Sequence, residues 1–347
     1  MLNKFAFMEE KYNIPPSNQL RNMWRLWRSN KILPNEYFDL RLVNDDMFNY
    51  IGLIKSKEIW NKYNTNKEAA AYINNKWKFY HKFPDLPVPE TTLLTFDNLN
   101  EQIVEVYELS RHTDLFFKPI DGYGGQGAFK ITSKHVKRNV EDILLRKYSR
   151  GYVYQKALKP HFDMAKFTDS RGIGALRIIT LVRQPDNIEI IGAFTKFVGS
   201  GNITDYTSNP GNYLVGVDIT NWSLTYAMTN SGLESKSYTS LNNHDIYGHE
   251  IPVGVDFDEE IYRWVSVVHN NLKLETSLIG WDIAVTNEGI YCLEANLKPG
   301  FASLQKADEK GYLNVFEYKN CVYPDYPNTK CVTKKDLTTS WKPRGKP

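Results

Sequence analysis

Cysteine is scarce in this chain of 347 residues: only Cys292, Cys321 and Cys331 occur, and no two stand at metal-ligand spacing. So small and odd a count points to a reducing compartment, with a bridge between Cys321 and Cys331 left open. No apolar run approaches the ~18–20 residues of a membrane span. The opening Met1-Leu2-Asn3-Lys4-Phe5-Ala6-Phe7 lacks the apolar stretch of a secretion signal. A cytoplasmic protein without a transmembrane segment is expected. Basic tracts are missing too: the net charge is +3 and its cations are dispersed, which argues against nucleic acid. There are no repeats or low-complexity segments, while 22 Tyr, 17 Phe and 8 Trp supply a large core. The length suits two or three subdomains.

Residues 1–75 have helical periodicity. Leu20, Met23, Trp24 and Trp27 fall at i, i+3, i+4 and i+7, with Arg21, Arg25 and Arg28 beside them. This basic amphipathic helix is expected to pack its stripe on the main body; peripheral docking on a membrane or partner is the alternative. Pro84, Pro87 and Pro89 end the helical pattern, and Thr91-Thr92-Leu93-Leu94 opens a β-rich segment. A helix is predicted over about 134–148, with Val136, Val140, Ile143 and Leu144 inward. Strands follow at Tyr152–Lys156, Ala175–Arg183, Ile188–Val198 and Tyr213–Ile219. A second helix over about 259–272 has Asp256 and Glu259 at capping-box spacing. From Gly311 onward, prolines and weak periodicity predict an irregular tail. His244 and His249, five apart, form no metal pair.

Two motifs carry chemistry. The first is Phe116-Phe117-Lys118-Pro119-Ile120-Asp121-Gly122-Tyr123-Gly124-Gly125-Gln126-Gly127. Residues 122–127 match GxGxxG, but that fingerprint needs a following helix to seat a pyrophosphate. Here Ala128-Phe129-Lys130-Ile131-Thr132 follows, so the segment is a hairpin with a glycine-rich tip. Such a tip can fold over phosphates, because no side chains keep its backbone N–H groups away. Lys118 would add a point charge. A plain glycine-rich turn is the other reading.

The second motif is a hairpin: Gly280-Trp281-Asp282-Ile283-Ala284-Val285, a turn at Asn287-Glu288-Gly289, and Ile290–Asn296 returning. A turn centred on residue 288 sets Asp282 opposite Glu294, with Asn296 on the same face. Two carboxylates and an amide oxygen make an all-oxygen site suited to Mg²⁺. A solvated edge hairpin is the bland alternative, against which Trp281, Ile283, Leu293 and Ala295 speak.

Together these motifs resemble the ATP-grasp superfamily, and within it the sugar-transfer-associated branch. The similarity runs from about Lys76 to Gln305. It rests on Asn75-Lys76-Trp77, Pro87-Val88-Pro89, the Lys118 glycine loop, Ala175-Leu176-Arg177-Ile178-Ile179-Thr180, Gly280-Trp281-Asp282 and Glu294-Ala295-Asn296 with Pro299-Gly300. The resemblance implies an α+β, ATP-grasp fold in which two α+β lobes clamp ATP, here behind a helical N-terminal region. Expected divisions are a helical region 1–75, a small lobe 76–158, a large lobe with the Mg²⁺ site 159–310, and the tail 311–347. Catalysis would rest on Arg177 and Lys118. ATP would be held by Lys76 (Lys78 and Lys82 being neighbouring candidates), Lys118, Gly122, Gly124, Gly125, Gln126, Gly127, Arg177 and Lys196. Backbone groups of Gln155, Lys156, Ala157 and Leu158 would meet adenine, and His161 a ribose or substrate.

The family's acidic residue near Lys156 is missing. Lys196, Tyr206 and Asn212 depart from its substrate-side loop, which implies a changed acceptor pocket. The expected activity is an ATP- and Mg²⁺-dependent carboxylate–amine ligase joining an amino acid to a uronic acid or amino sugar through an acyl phosphate, in surface or capsular polysaccharide assembly. A phosphotransferase on the same fold, or a non-catalytic nucleotide-binding partner of a glycosyltransferase, are its rivals.

Overall fold

Helices fill the first 82 residues because the sequence supplies stops and caps at short intervals. They are α1 (Leu2–Tyr12), α2 (Pro16–Asn30), α3 (Pro34–Asp39), a 3-10 turn (Asp45–Asn49), α4 (Leu53–Tyr63), α5 (Lys67–Ile73) and α6 (Lys76–Lys82). Pro16 suits the first turn of α2, where its missing N–H costs nothing. Asn66 and Asn75 cap α5 and α6, each side chain accepting a backbone N–H from the first turn. In the computed structural model the described residues are 2–95, 98–121, 126–135, 137–147, 151–167, 172–184, 187–199, 211–229, 236–252, 254, 256–317 and 330–333. Gly122, Gly124, Gly125, Val136, Cys321 and residues 200–210 of the substrate-side segment lie outside them.

The expected inward stripe of α2 is corrected. Met23 and Leu26 are buried, together with the polar Gln19 and Asn30, while Leu20, Trp24 and Trp27 are 57, 58 and 43% exposed. Buried amides explain the rotation. Gln19 Nε2 donates to the carbonyls of Phe5 and Ile14, and Asn30 Nδ2 to those of Phe48 and Tyr50. Those bonds tie α2 to α1 and to the 3-10 turn, so the face carrying the amides goes inward.

The small sheet has strand order β1-β4-β2-β3, with β1 Thr91–Leu94, β2 Leu115–Pro119, β3 Phe129–Ile131 and β4 Tyr152–Lys156, all neighbours antiparallel. Two helices, α7 (Leu99–Ser110) and α8 (Lys137–Lys147), pack on it through Leu99, Ile103, Val106, Val140 and Leu144. Helix α7 is an addition to the expected elements. After the short α9 (Phe162–Ala165) comes the large sheet: β5 (Leu176–Gln184), β6 (Asn187–Phe197), β7 (Tyr213–Asp218), β8 (Ser223–Thr229) and β9 (Ser237–Tyr238). A small ribbon, β10 (Ser240–Leu241) with β11 (His244–Asp245), precedes α10 (Phe257–Leu272), which Asp256 caps as expected. The hairpin β12 (Ser277–Thr286) and β13 (Gly289–Asn296) completes the order β13-β12-β5-β6-β7-β8-β9.

This sheet is covered on both faces. Along β5, Ile178 and Val182 meet the α10 side with Trp264 and Val268, while Ile179 and Leu181 meet the other side. That second side is closed by α4, α11 (Phe301–Ala307) and α12 (Leu313–Glu317). The expected irregular tail is therefore corrected: Tyr312, Leu313, Val315 and Phe316 belong to the core. Beyond them β14 (Lys330–Thr333) pairs antiparallel with Asn187–Ile190 of β6. The segment is too short for periodicity to show, but its Val332 buries in the α10-side core. Cys331 of β14 is disulfide-bonded, whereas Cys292 is a free buried thiol, so not all cysteines are reduced.

Because α12 is core, Phe316→Ala should cost about 3 kcal/mol of stability. Urea unfolding followed by circular dichroism measures it. A loss within experimental error would return residues 312–317 to the status of a loose tail.

Candidate active site

The hairpin turn is tighter than expected, and a bulge restores the expected pairing. Thr286 pairs with Gly289, and Ile283 with Cys292; then the register shifts so that Asp282 pairs with Glu294 and Gly280 with Asn296. Gly289 takes φ +127 at the turn, a value L residues rarely adopt. The extra residue is Leu293, and it flips the alternation of β13. Ile290 and Cys292 face the α10 core before the bulge, Ala295 and Leu297 after it. Glu294 and Asn296 are thereby turned to the opposite face, beside Asp282.

Bulging also frees a carbonyl. Tyr80 Oη donates to Leu293 O at 2.6 Å, and Lys118 Nζ lies 3.4 Å from the same oxygen and donates to Tyr80 Oη at 2.5 Å. The adjacent Cys292 N–H donates to Pro87 O at 2.7 Å, so the Pro87-Val88-Pro89 segment docks on this hairpin. Lys118 on β2, Tyr80 on α6 and the large sheet thus meet at one bulge. Tyr80 was not foreseen. It lies four residues after Lys76, one helical turn on the same face, which is the signal that could have revealed it.

Arg177 stands directly across β5–β12 from Asp282 and grips its carboxylate with two hydrogen bonds, Nη2 to Oδ2 at 2.7 Å and Nε to Oδ1. A Cβ on Gly280 would sit 3.3 Å from the Arg177 side chain and 3.0 Å from Pro299, so glycine gives the guanidinium room. Lys76 Nζ reaches Glu294 at 3.4 Å and is buried, whereas Lys78 is exposed and Lys82 lies over the Tyr72 ring. Lys76 is the phosphate-lysine candidate that enters the cleft.

Lys76, Lys118, Arg177, Asp282 and Glu294 line one cleft between the two sheets, with Gln126, Gln155, Lys156, Ala157, Leu158, Lys196 and Asn296. Lys130 joins them unforeseen. On the short β3 it alternates with Phe129, whose ring stacks on Phe117 at 4.7 Å, so Lys130 is left to face the cleft. Phe116, Ala128, Ile173, Ala175 and Leu293 add apolar wall, suited to a flat base. Six cationic side chains against two carboxylates leave a formal surplus of four positive charges. Gly127 is not a lining residue; it takes φ +78 and its carbonyl accepts from Tyr152 Oη at 3.2 Å.

Two expectations are adjusted. His161 does not line the cleft; its Nδ1 accepts the Asp163 N–H as the cap of α9, and its ring lies 4.4 Å from Phe162. The Ala157 N–H is committed to Asp114 O at 2.8 Å, so it is not open to a base. His244 and His249 stay apart from the cleft, His249 meeting Phe167 ring-to-ring at 5.1 Å.

Burial works to raise the Asp282 pKa, but Arg177, helped by Lys196 and Lys76, holds it below the ordinary carboxylate value. Burial and the nearby Asp282 push Glu294 upward against the pull of Lys76. Lys118 falls to about 8, from burial first and then from the like charge of Lys76. Among the described residues no three His, Cys, Asp or Glu side chains cluster as a ready cation cage. Asp282, Glu294 and Asn296 are all-oxygen donors, a set that fits Mg²⁺ when substrate oxygens complete the shell.

A family model described as sugar-transfer associated ATP-grasp matches residues 55–319, most of the chain. Among solved structures, the chain is similar to D-alanyl-alanine synthetase A from Vibrio cholerae at 17% identity (70% of this chain, 61% of that one, TM-score 0.41). It is similar also to the VanG D-Ala:D-Ser ligase from Enterococcus faecalis at 15% identity (72% and 61%, TM-score 0.41). A third is the ATP-grasp ligase PsnB complexed with minimal precursor, Mg and ADP, at 14% identity (72% and 59%, TM-score 0.39). The matched part spans less than two-thirds of each of those chains. No curated protein sequence matches.

The lowered pKa of Lys118 has a measurable consequence. A bound polyanion favours the protonated amine, so its pKa should rise on binding. Between about pH 8 and 10 binding should then take up a proton, and affinity should fall as pH climbs through that window. Below it Lys118 is already charged, and this dependence vanishes. Calorimetry of a non-hydrolysable ATP analogue at about pH 9, in buffers of different ionisation enthalpy, reads the uptake directly. Uptake undiminished in Lys118→Met would assign the proton elsewhere.

Proposed function

The chain belongs to the sugar-transfer-associated ATP-grasp family, and from that premise we propose that it is an ATP- and Mg²⁺-dependent carboxylate–amine ligase. Its product would be an amide between an amino acid and a sugar, through a uronic-acid carboxyl or an amino sugar, in surface or capsular polysaccharide assembly. The observation that carries the reading is the charge of the cleft. Its surplus of four positive charges answers the roughly four negative charges of ATP, while two carboxylates and an amide stay grouped on one sheet face.

Residues take the following roles. Lys76, Lys118 and Lys130 would bind the phosphates, Gln126 and the glycine loop would cover them, and the apolar wall with Gln155, Lys156, Ala157 and Leu158 would hold adenine. The Leu158 N–H has no hydrogen bond among the described residues and is the amide best placed to offer one. Asp282, Glu294 and Asn296 would hold Mg²⁺, which when bound offsets phosphate charge. In the first step the carboxylate oxygen bonds to the γ-phosphorus as the bond to ADP breaks, giving an acyl phosphate. The amine then attacks the carbonyl carbon, loses a proton, and expels phosphate. Arg177 would stabilise charge on the transferring group through a planar two-point contact. Lys196 would orient the carboxylate.

In this reading residues 1–75 support the fold, 76–158 form the small lobe and 159–310 the large lobe. Among the described residues no helix is long and apolar enough to cross a membrane. We assign the reaction to the cytoplasm, where ATP is supplied, with peripheral docking through the N-terminal helix.

Hydroxylamine tests the chemistry, since it intercepts an acyl phosphate and yields a hydroxamate when the right uronate or amino acid is present. Equal release of ADP and phosphate is expected. A stable phosphoester without free phosphate, across a panel of amino acids and sugar nucleotides, would make the protein a phosphotransferase.

Asp282→Asn and Glu294→Gln, nearly isosteric, should each cut Mg²⁺-dependent turnover about a hundredfold, with Glu288→Gln on the hairpin turn as the unaffected control. Equal losses in all three would point to hairpin stability rather than coordination.

A further inference from the structure

Leu20, Trp24 and Trp27 form one exposed stripe on α2, two helical turns or about 10 Å long. Arg21, Arg25 and Arg28 are exposed along one flank, and Lys31 follows at the helix end on the line of the stripe. The helix contains no Asp or Glu. Its cations lie against aromatic rings: the Arg28 guanidinium 4.8 Å from the Trp24 centroid, Lys31 Nζ 5.5 Å from Trp27, and Arg25 4.7 Å from Phe48. Two solvent-facing tryptophans and a leucine in line are an unfavourable display unless something covers them.

We propose that this face of α2 docks the protein on an anionic lipid bilayer. The chemistry of the stripe favours a bilayer over an acidic protein. An acidic patch would be served by the arginines alone, whereas Trp combines an apolar body with an N–H donor and settles where acyl chains meet headgroups. Arg28 and Lys31 lie against the two tryptophan rings, and Arg21 and Arg25 are exposed on the same helix, where lipid phosphates would stand. Docking needs no refolding, because Gln19, Met23, Leu26 and Asn30 anchor the opposite face to the rest of the protein. The proposal deepens the peripheral-docking part of the reading above, and it stands apart from the ligase chemistry.

Flotation of the full chain with phosphatidylcholine vesicles, with and without phosphatidylserine, tests it. The protein should float with the serine-lipid vesicles alone, and less so in high salt. Trp24→Ala with Trp27→Ala should abolish flotation, and each of Arg21→Gln and Arg28→Gln should weaken it about fivefold. Binding of a fluorescent ATP analogue should be the same in all three variants. Absence of flotation, or flotation that these substitutions leave intact, would overturn the proposal. So would lipid-free self-association in ultracentrifugation that the tryptophan variants abolish, since the face would then be a contact between two copies. Intact flotation without nucleotide binding would sink the ligase reading and leave this one standing.

Discussion

Two ion pairs on one sheet face, Arg177 with Asp282 and Lys76 with Glu294, are what the cleft is organised around. Removing an ion from water costs several kcal/mol, which only a close partner offsets. Without ligand the site satisfies this internally, cations against carboxylates. The same four groups are those that a triphosphate and its metal would claim. A lone cation drawing Asp282 and Glu294 away would take these ion pairs from Arg177 and Lys76. A lone triphosphate would strand the carboxylates. On the proposed reading, each ligand would supply the partner that the other displaces, which would couple the two binding events.

That arrangement depends on a single extra residue. Without the bulge at Leu293, strict alternation would set Glu294 and Asn296 on the side of Cys292, in the α10 core, where two polar groups would lack partners. The bulge turns them into the cleft and releases the carbonyl that Tyr80 and Lys118 use. One backbone irregularity therefore does two things: it aims the metal candidates, and it ties Lys118 of the small sheet to the large sheet.

The sequence made much of this legible, and the limits have physical causes. The Asp282–Glu294 pairing could be inferred from Asn287-Glu288-Gly289, although the turn is tighter than assumed and the bulge compensates, a cancellation no residue type announces. Arg177 stood out because a charged residue inside an apolar strand needs a partner. Lys130 and Tyr80 did not, since each is ordinary at its position until the fold brings it beside Lys118. Helix α2 misled for a related reason. Hydropathy counts Gln19 and Asn30 as outward residues, yet amides can go inward wherever backbone carbonyls await them, as those of Phe5 and Tyr50 do here. In the C-terminal segment, a five-residue helix and a four-residue strand are too short for periodicity to register.

Lys118 shows why the cleft should favour a polyanion over a merely anionic ligand. Its pKa of about 8 means that burial, together with Lys76, makes its positive charge costly in the empty site. Glu294, the acid whose charge favours the Lys118 cation, is itself pushed upward by burial and engaged by Lys76. A ligand with one negative charge can satisfy Lys76 or Lys118 while the other stays under the same repulsion. A triphosphate held as proposed would span both amines and reach Lys130 and Arg177, so each successive phosphate would remove one more source of like-charge repulsion. The preference for a longer phosphate chain thus follows from packing more cations into the cleft than its carboxylates can neutralise.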